Sequence, residues 1–136
     1  MTSREGPTPQ FGDVWQVSFD PVIGHEQGGT RPALVVSGEP FNGLPHRLRV
    51  VAPITSRVRD IPTHVPISPP QGGLKHPSVV MCDQLRTISL DQLEFRRGAA
   101  DPTTLDAVRH VIAKVFDLQA LPQRGTESTS GDDEGE

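Results

Sequence analysis

The chain has no tyrosine, one tryptophan, five phenylalanines and one cysteine among its 136 residues. A single cysteine excludes an intrachain disulfide, so no cross-link substitutes for a hydrophobic core. That cysteine, Cys82, closes the apolar run Ser78-Val79-Val80-Met81-Cys82 with no basic neighbour to favour a thiolate, and reads as a small buried hydrophobe. No apolar stretch approaches the roughly 18 residues of a membrane span. The N-terminus lacks the apolar core of a secretion signal, so a cytoplasmic location and no membrane partner are expected. Also missing are a His-Glu-x-x-His helix, a P-loop and paired Cys-x-x-Cys motifs. The histidines (His25, His46, His64, His76 and His110) stand apart, without the spacing of metal ligands, so neither a metal nor another cofactor is expected. His46, His64, His76 and His110 read as loop, strand-edge or solvated helix residues with no catalytic role. His25 is left open by its neighbours.

Proline and glycine are plentiful, at 14 and 13 residues, and are scattered along the chain. With 34% hydrophobic and 22% charged residues, this profile suits one domain of short strands joined by many turns. The formal net charge of −4 is a property of residues 123–136, where five acids face the single base Arg124; the rest of the chain is neutral. A neutral body can carry a local basic patch, so the low overall charge does not argue against a nucleic-acid ligand. Residues 1–10 read as a flexible leader, 11–121 as the folded domain and 122–136 as a disordered acidic tail.

Period-2 alternation marks the first strand, with Trp15, Val17 and Phe19 on one face and Gln16 and Ser18 on the other. The polar, glycine-rich stretch Gly24 to Arg31 follows. Ala33 to Ser37 is apolar throughout and reads as a strand buried on both faces. Leu48 to Thr55 alternates again, with Leu48, Val50, Ala52 and Ile54 on the expected apolar face. Val65 and Ile67 flank Pro66, which has no N–H and so argues for a short strand at a sheet edge or an irregular one. Val79 to Ile88 reads as one long strand and Leu93 to Arg96 as a short last one. Asp101 then suits an N-cap and Pro102 the first helical position. Leu105, Val108, Ile112 and Val115 recur at helical spacing. The expected fold class is mainly β with a C-terminal α-helix, arranged as a small barrel.

Three constellations carry candidate chemistry. In the first, Arg31 leaves the glycine-rich loop directly before Pro32 and a buried strand. A guanidinium anchored there is an always-charged planar fork suited to phosphate; an ion pair with Glu26 or Asp20 is the alternative. The second, Pro53-Ile54-Thr55-Ser56-Arg57, offers two hydroxyls and a base at a strand end, either for phosphate contacts or as a strand-capping turn. The third, Asp83-Gln84-Leu85-Arg86, interrupts an apolar strand with polar groups that need partners, inside the fold or in the wall of a site.

The blocks Gly12-Asp13-Val14-Trp15, Gly24-His25-Glu26-Gln27 and Arg31-Pro32-Ala33-Leu34-Val35-Val36-Ser37 resemble the opening of the MazF/PemK toxin family. Pro53-Ile54-Thr55-Ser56 and the run from Ser78 to Arg86 resemble its later blocks, in order and register from about residue 11 to 118. The resemblance implies an SH3-like barrel of the MazF/CcdB type, a two-fold homodimer, and a cognate MazE-like antitoxin. It implies a toxin that cleaves single-stranded RNA, often mRNA, at short motifs. It makes Arg31 and Thr55 the catalytic pair and ties Glu26 to activity. Gly24, His25, Gln27, Pro53, Ser56, Asp83 and Gln84 are then expected along the RNA. Gln16 stands where many members carry an aromatic residue, a departure expected to alter packing or the groove wall.

Metal-independent cleavage can use the substrate's own 2′-OH as nucleophile, leaving a 2′,3′-cyclic phosphate and a 5′-OH. Arg31 is then expected to stabilise charge at phosphorus and Thr55 to bond a phosphoryl oxygen, with Glu26 or His25 as base. Two other readings stay open: a CcdB-like toxin that binds DNA gyrase without cutting, and an inactive member that binds only RNA or antitoxin.

Overall fold

The computed structural model describes residues 8–19 and 29–118. Gly24, His25, Glu26 and Gln27, with nearly all of the leader and the acidic tail, lie outside the described residues.

Seven strands and one helix follow one another: β1 (Asp13–Ser18), β2 (Thr30–Val35), β3 (Leu48–Thr55), β4 (His64–Ile67), β5 (Ser78–Met81), β6 (Arg86–Ser89), β7 (Leu93–Ala99) and α1 (Pro102–Val115). All pairings are antiparallel, and the strand order is β4-β5-β3-β2-β1-β7, with β6 also on β3.

Alternation along β1, β2 and β3 divides the core in two. Trp15, Val17, Phe19, Ala33, Val35 and Val51 join Ile88 in one cluster. Val14, Leu34, Ala52 and Ile54 enter the other, with Val65, Ile67, Val80 and Val108. Successive side chains on a strand point to opposite faces, so these strands are buried on both. This bears out the expectation for β2. It corrects the one for β3, where Val51 and even Arg49 are buried while Leu48 and Val50 are only partly so. Burial of Arg49 is tolerated because backbone carbonyls of Pro9, Asn42 and Leu48 accept its N–H groups at 2.8–3.0 Å.

The helix starts where expected, with Pro102 in its first turn, though the Asp101 side chain makes no capping hydrogen bond. Leu105, Val111 and Ile112 pack around the buried Val108, while Val115 is exposed. Pro66 lies on β4 at a sheet edge, as its missing N–H requires.

The fold class is as expected, a small curled β-sheet with a C-terminal helix, and the barrel is an open one. Among the described residues no ladder joins β4 to β7. The tight turn Gln71–Gly73 packs against β7 instead, with Arg97 Nη2 donating to the Gly73 carbonyl at 3.0 Å. A second expectation is corrected: the long strand over Val79 to Ile88 is split. β5 pairs with Ile54 and Thr55 and β6 with Leu48 to Val51, so both follow the same edge of β3. Between them the chain turns at Cys82–Leu85, where Gln84 N–H donates to the Met81 carbonyl at 3.1 Å. The turn puts Asp83 at the surface.

Candidate active site

The β2–β3 ladder pairs Ala33 with Pro53, Leu34 with Ala52 and Val35 with Val51. Continued outward, this register sets Arg31 opposite Thr55, and opposed residues in an antiparallel pair share a face. Both side chains line one cleft of about 330 Å³ at this end of the sheet. They lie on the face that carries Ala33, Val35 and Val51 deeper in, so polar residues take over where the hydrophobic cluster stops.

The cleft is basic. Arg57 and Arg59, on the loop after β3, join Arg31, and Asp83 supplies one carboxylate against these three guanidiniums. Burial lowers the pKa of Arg31 from the ordinary arginine value, a desolvation effect, and guanidinium stays charged at neutral pH regardless. Desolvation also strengthens its pull on an anion. The Thr55 hydroxyl oxygen accepts the Arg57 backbone N–H at 3.1 Å, which fixes the side chain and leaves its proton for another acceptor.

The turn between β5 and β6 brings Asp83 and Gln84 to the same wall. Beside them stands His64, to which sequence reasoning gives no role. It is the first residue of β4, and its pairing with Met81 on β5 carries it beside Asp83. Its side chain is only 7% exposed, its Nε2 lies 3.7 Å from Asp83 Oδ1, and its buried Nδ1 has no hydrogen-bond partner among the described residues. The sole sequence signal for this contact is the polar pair Asp83-Gln84 interrupting an apolar run.

Thr55 and Ser56 do not act on the same side. Ser56 lines a second cleft, of about 220 Å³, with Pro32, Lys75, His76 and Arg97. Pro53 is buried in β3 and lines neither cleft. Of the other histidines, Nδ1 of His46 accepts the Leu48 N–H at 3.1 Å, and His110 contacts the Asp106 carbonyl on the helix surface. Among the described residues no group of three or more His, Cys, Asp or Glu side chains is placed to hold a metal ion. No helix among them is long and apolar enough to cross a membrane.

A curled antiparallel sheet ends in an arginine-lined cleft with a hydroxyl and a histidine–carboxylate pair inside it, a lining chemically suited to an anion. Residues 10–116 match the family of PemK-like, MazF-like toxins of type II toxin–antitoxin systems, and the chain belongs to that family. The endoribonuclease PemK of Escherichia coli is 41% identical over 95 residues, 69% of this chain and 71% of the relative. The endoribonuclease EndoA of Bacillus subtilis is 35% identical over 99 residues, 71% and 84% of the two chains. The crystal structure of MazF from Deinococcus radiodurans superposes with a TM-score of 0.73 at 31% identity, covering 83% of this chain and 100% of that one. A MazE–MazF structure from the same organism gives a TM-score of 0.67 at 31% identity, over 84% and 100% of the chains.

Proposed function

We propose that this chain is a metal-independent endoribonuclease that cuts single-stranded RNA at a phosphate held between Arg31 and Thr55. The observation that carries the reading is the shared cleft of these two residues, opposed on neighbouring strands and backed by Arg57 and Arg59. Relatives bearing the name endoribonuclease support it at 41% and 35% identity.

In the proposed step the 2′-oxygen of the substrate attacks the adjacent phosphorus as its proton leaves to a base. The bond from phosphorus to the 5′-oxygen breaks, and that oxygen takes up a proton. A 2′,3′-cyclic phosphate and a 5′-OH result. Negative charge builds on the phosphoryl oxygens, and Arg31 faces it with a fixed charge that needs no reorganisation. The Thr55 hydroxyl, whose proton is not used by the Arg57 contact, donates a hydrogen bond to a phosphoryl oxygen. His64 and Asp83 are proposed to relay protons in the cleft, a task that an always-charged guanidinium cannot perform. Glu26 or His25, outside the described residues, is proposed as the base, with Gly24 and Gln27 flanking the RNA. Gln84 contributes to the same wall. DNA resists cleavage because it lacks the 2′-OH.

The same reading gives the chain a MazE-like antitoxin, a two-fold homodimer and a cytoplasmic site of action, where its RNA substrates are found. The MazE–MazF structure of the Deinococcus relative supports the antitoxin. The test is cleavage of mixed-sequence single-stranded RNA in EDTA by the wild type and by Arg31→Ala, with end-group analysis. Cleavage lost in the variant, with cyclic phosphate and 5′-OH ends from the wild type, is expected. A folded wild type that cuts no RNA refutes the reading.

A further inference from the structure

The second cleft lies on the opposite face of the same strand ends. Pro32 and Ile54 follow and precede the proposed catalytic pair in sequence, so their side chains point away from it, and both line this cleft beside Leu74. The outward register also sets Pro32 opposite Ile54, as it sets Arg31 opposite Thr55. Two clefts therefore stand back to back across the end of the β2–β3 pair.

The polar lining of the second cleft is basic. Lys75 is exposed and makes no ion pair among the described residues, and Arg97 is the second cation; no acid among the described residues lines the cleft. Arg97 is held in place, with Nη1 donating to Gln16 Oε1 at 2.9 Å and Nη2 to the Gly73 carbonyl at 3.0 Å. Its Nε is buried with no partner among the described residues. The Ser56 hydroxyl adds a donor one residue past Thr55. A cradle of fixed and mobile cations with a hydroxyl fits a phosphate group.

We propose that this cleft is a second phosphate subsite, in which Lys75, Arg97 and Ser56 hold a backbone phosphate flanking the one bound between Arg31 and Thr55. The RNA strand then crosses the end of the β2–β3 pair with a phosphate on each side. This rests on the reading of the first cleft as an RNA site. It favours RNA over an acidic peptide because the cleft on the other face of the same strand ends is the one read as the RNA site. Gln16 is explained as well: its side-chain carbonyl orients Arg97, which an aromatic residue in that place would not do.

The experiment is a binding titration with full-length protein and mixed-sequence 2′-fluoro RNA, which cannot be cut, over a range of salt concentrations. Binding is thus read apart from cleavage. Lys75→Gln is expected to weaken binding several-fold and to make the slope of log affinity against log salt about 0.7 shallower, the value of one phosphate contact on a single strand. Lys75→Arg restores both. Lys114→Gln, a control on α1 outside either cleft, leaves the slope unchanged. An unaltered slope in Lys75→Gln, or an equal loss in Lys114→Gln, overturns the subsite. A Lys75→Gln protein that binds RNA normally but loses affinity for a polyglutamate peptide overturns it in favour of a protein partner. If the wild type binds and fails to cut, the proposed function falls while the subsite is still decided by the slopes.

Discussion

Arg31 on β2 and Thr55 on β3 line one cleft, two positions beyond the last paired residues, Ala33 and Pro53. Both side chains are carried by strands and not by loops, which favours a preorganised site. Removing one preorganised donor at a site of developing charge costs about 10²- to 10³-fold in kcat. Arg31→Ala is expected to lose at least that much in RNA cleavage. Arg31→Lys is expected to recover only part, because an ammonium lacks the planar fork. Steady-state cleavage of a defined RNA checks both, and a Lys variant equal to wild type would contradict bidentate binding.

Thr55 gives a narrower test. Thr55→Val keeps the shape of the side chain and removes its hydroxyl. Loss of a hydrogen bond to a charged group, about 1.5–3 kcal/mol, predicts a fall in kcat of about 10- to 150-fold. Thr55→Ser keeps the donor and should stay within a few-fold of wild type. Equal defects in both variants would mean that the methyl group matters as much as the hydroxyl.

Much of this pair is legible in the sequence. Period-2 alternation locates β1 and β3, and the run Ala33 to Val35 announces burial on both faces of β2. The same alternation separates Thr55 from Ser56, although adjacency groups the two in one motif. His64 is not legible, because its meeting with Asp83 depends on the β4–β5 register and on the turn that breaks β5 from β6. No local pattern encodes a pairing between distant segments. The open edge is equally hidden, since closure depends on how Gln71–Gly73 packs against β7.

That turn supplies a stability prediction. Gly72 has φ +61°, and a Cβ built on it would lie 2.5 Å from Cγ2 of the buried Val14. Gly72→Ala adds both a left-handed backbone penalty and overpacking, for a loss of about 1–3 kcal/mol. Chemical denaturation checks it. Val14→Ala should make the Gly72→Ala change less costly by opening the space, and simple additivity of the two would show that the overlap is not the cause.

Cys82 is fully buried, and its burial, with Asp83 adjacent, pushes the thiol up to about 11. The unfolded chain releases this proton near the ordinary value of 9.0, so between pH 9 and about 11 the unfolded state binds fewer protons than the folded one. Stability from this group is complete below pH 9 and falls as pH rises through that window. Cys82→Ala should flatten the decline while lowering stability overall through the cavity it leaves. Denaturation midpoints at about pH 8 and about pH 10, on either side of the unfolded thiol's titration, test this. An unchanged pH dependence in the variant would assign the decline to other groups. Alkylation of the native protein near neutral pH should be slow for the same reason.

His64 and Asp83 offer the test that separates chemistry from scaffolding. Asp83 faces His64 Nε2 at 3.7 Å, and Arg31, Arg57 and Arg59 line the same cleft. A side chain that moves protons in the rate-limiting step contributes about 10²- to 10⁴-fold and shapes the pH–rate profile. His64→Gln keeps a polar side chain of similar length and should lower kcat within that range and change the shape of the profile. Asp83→Asn keeps the shape of its side chain but removes the charge beside the ring, and should lower kcat by a smaller factor than His64→Gln. A purely structural histidine predicts a different result: a variant with reduced stability whose profile, once the folded fraction is accounted for, matches the wild type. Profiles measured with the same RNA for wild type, His64→Gln and Asp83→Asn decide between the two, because packing defects scale activity at every pH alike and the loss of a proton carrier does not.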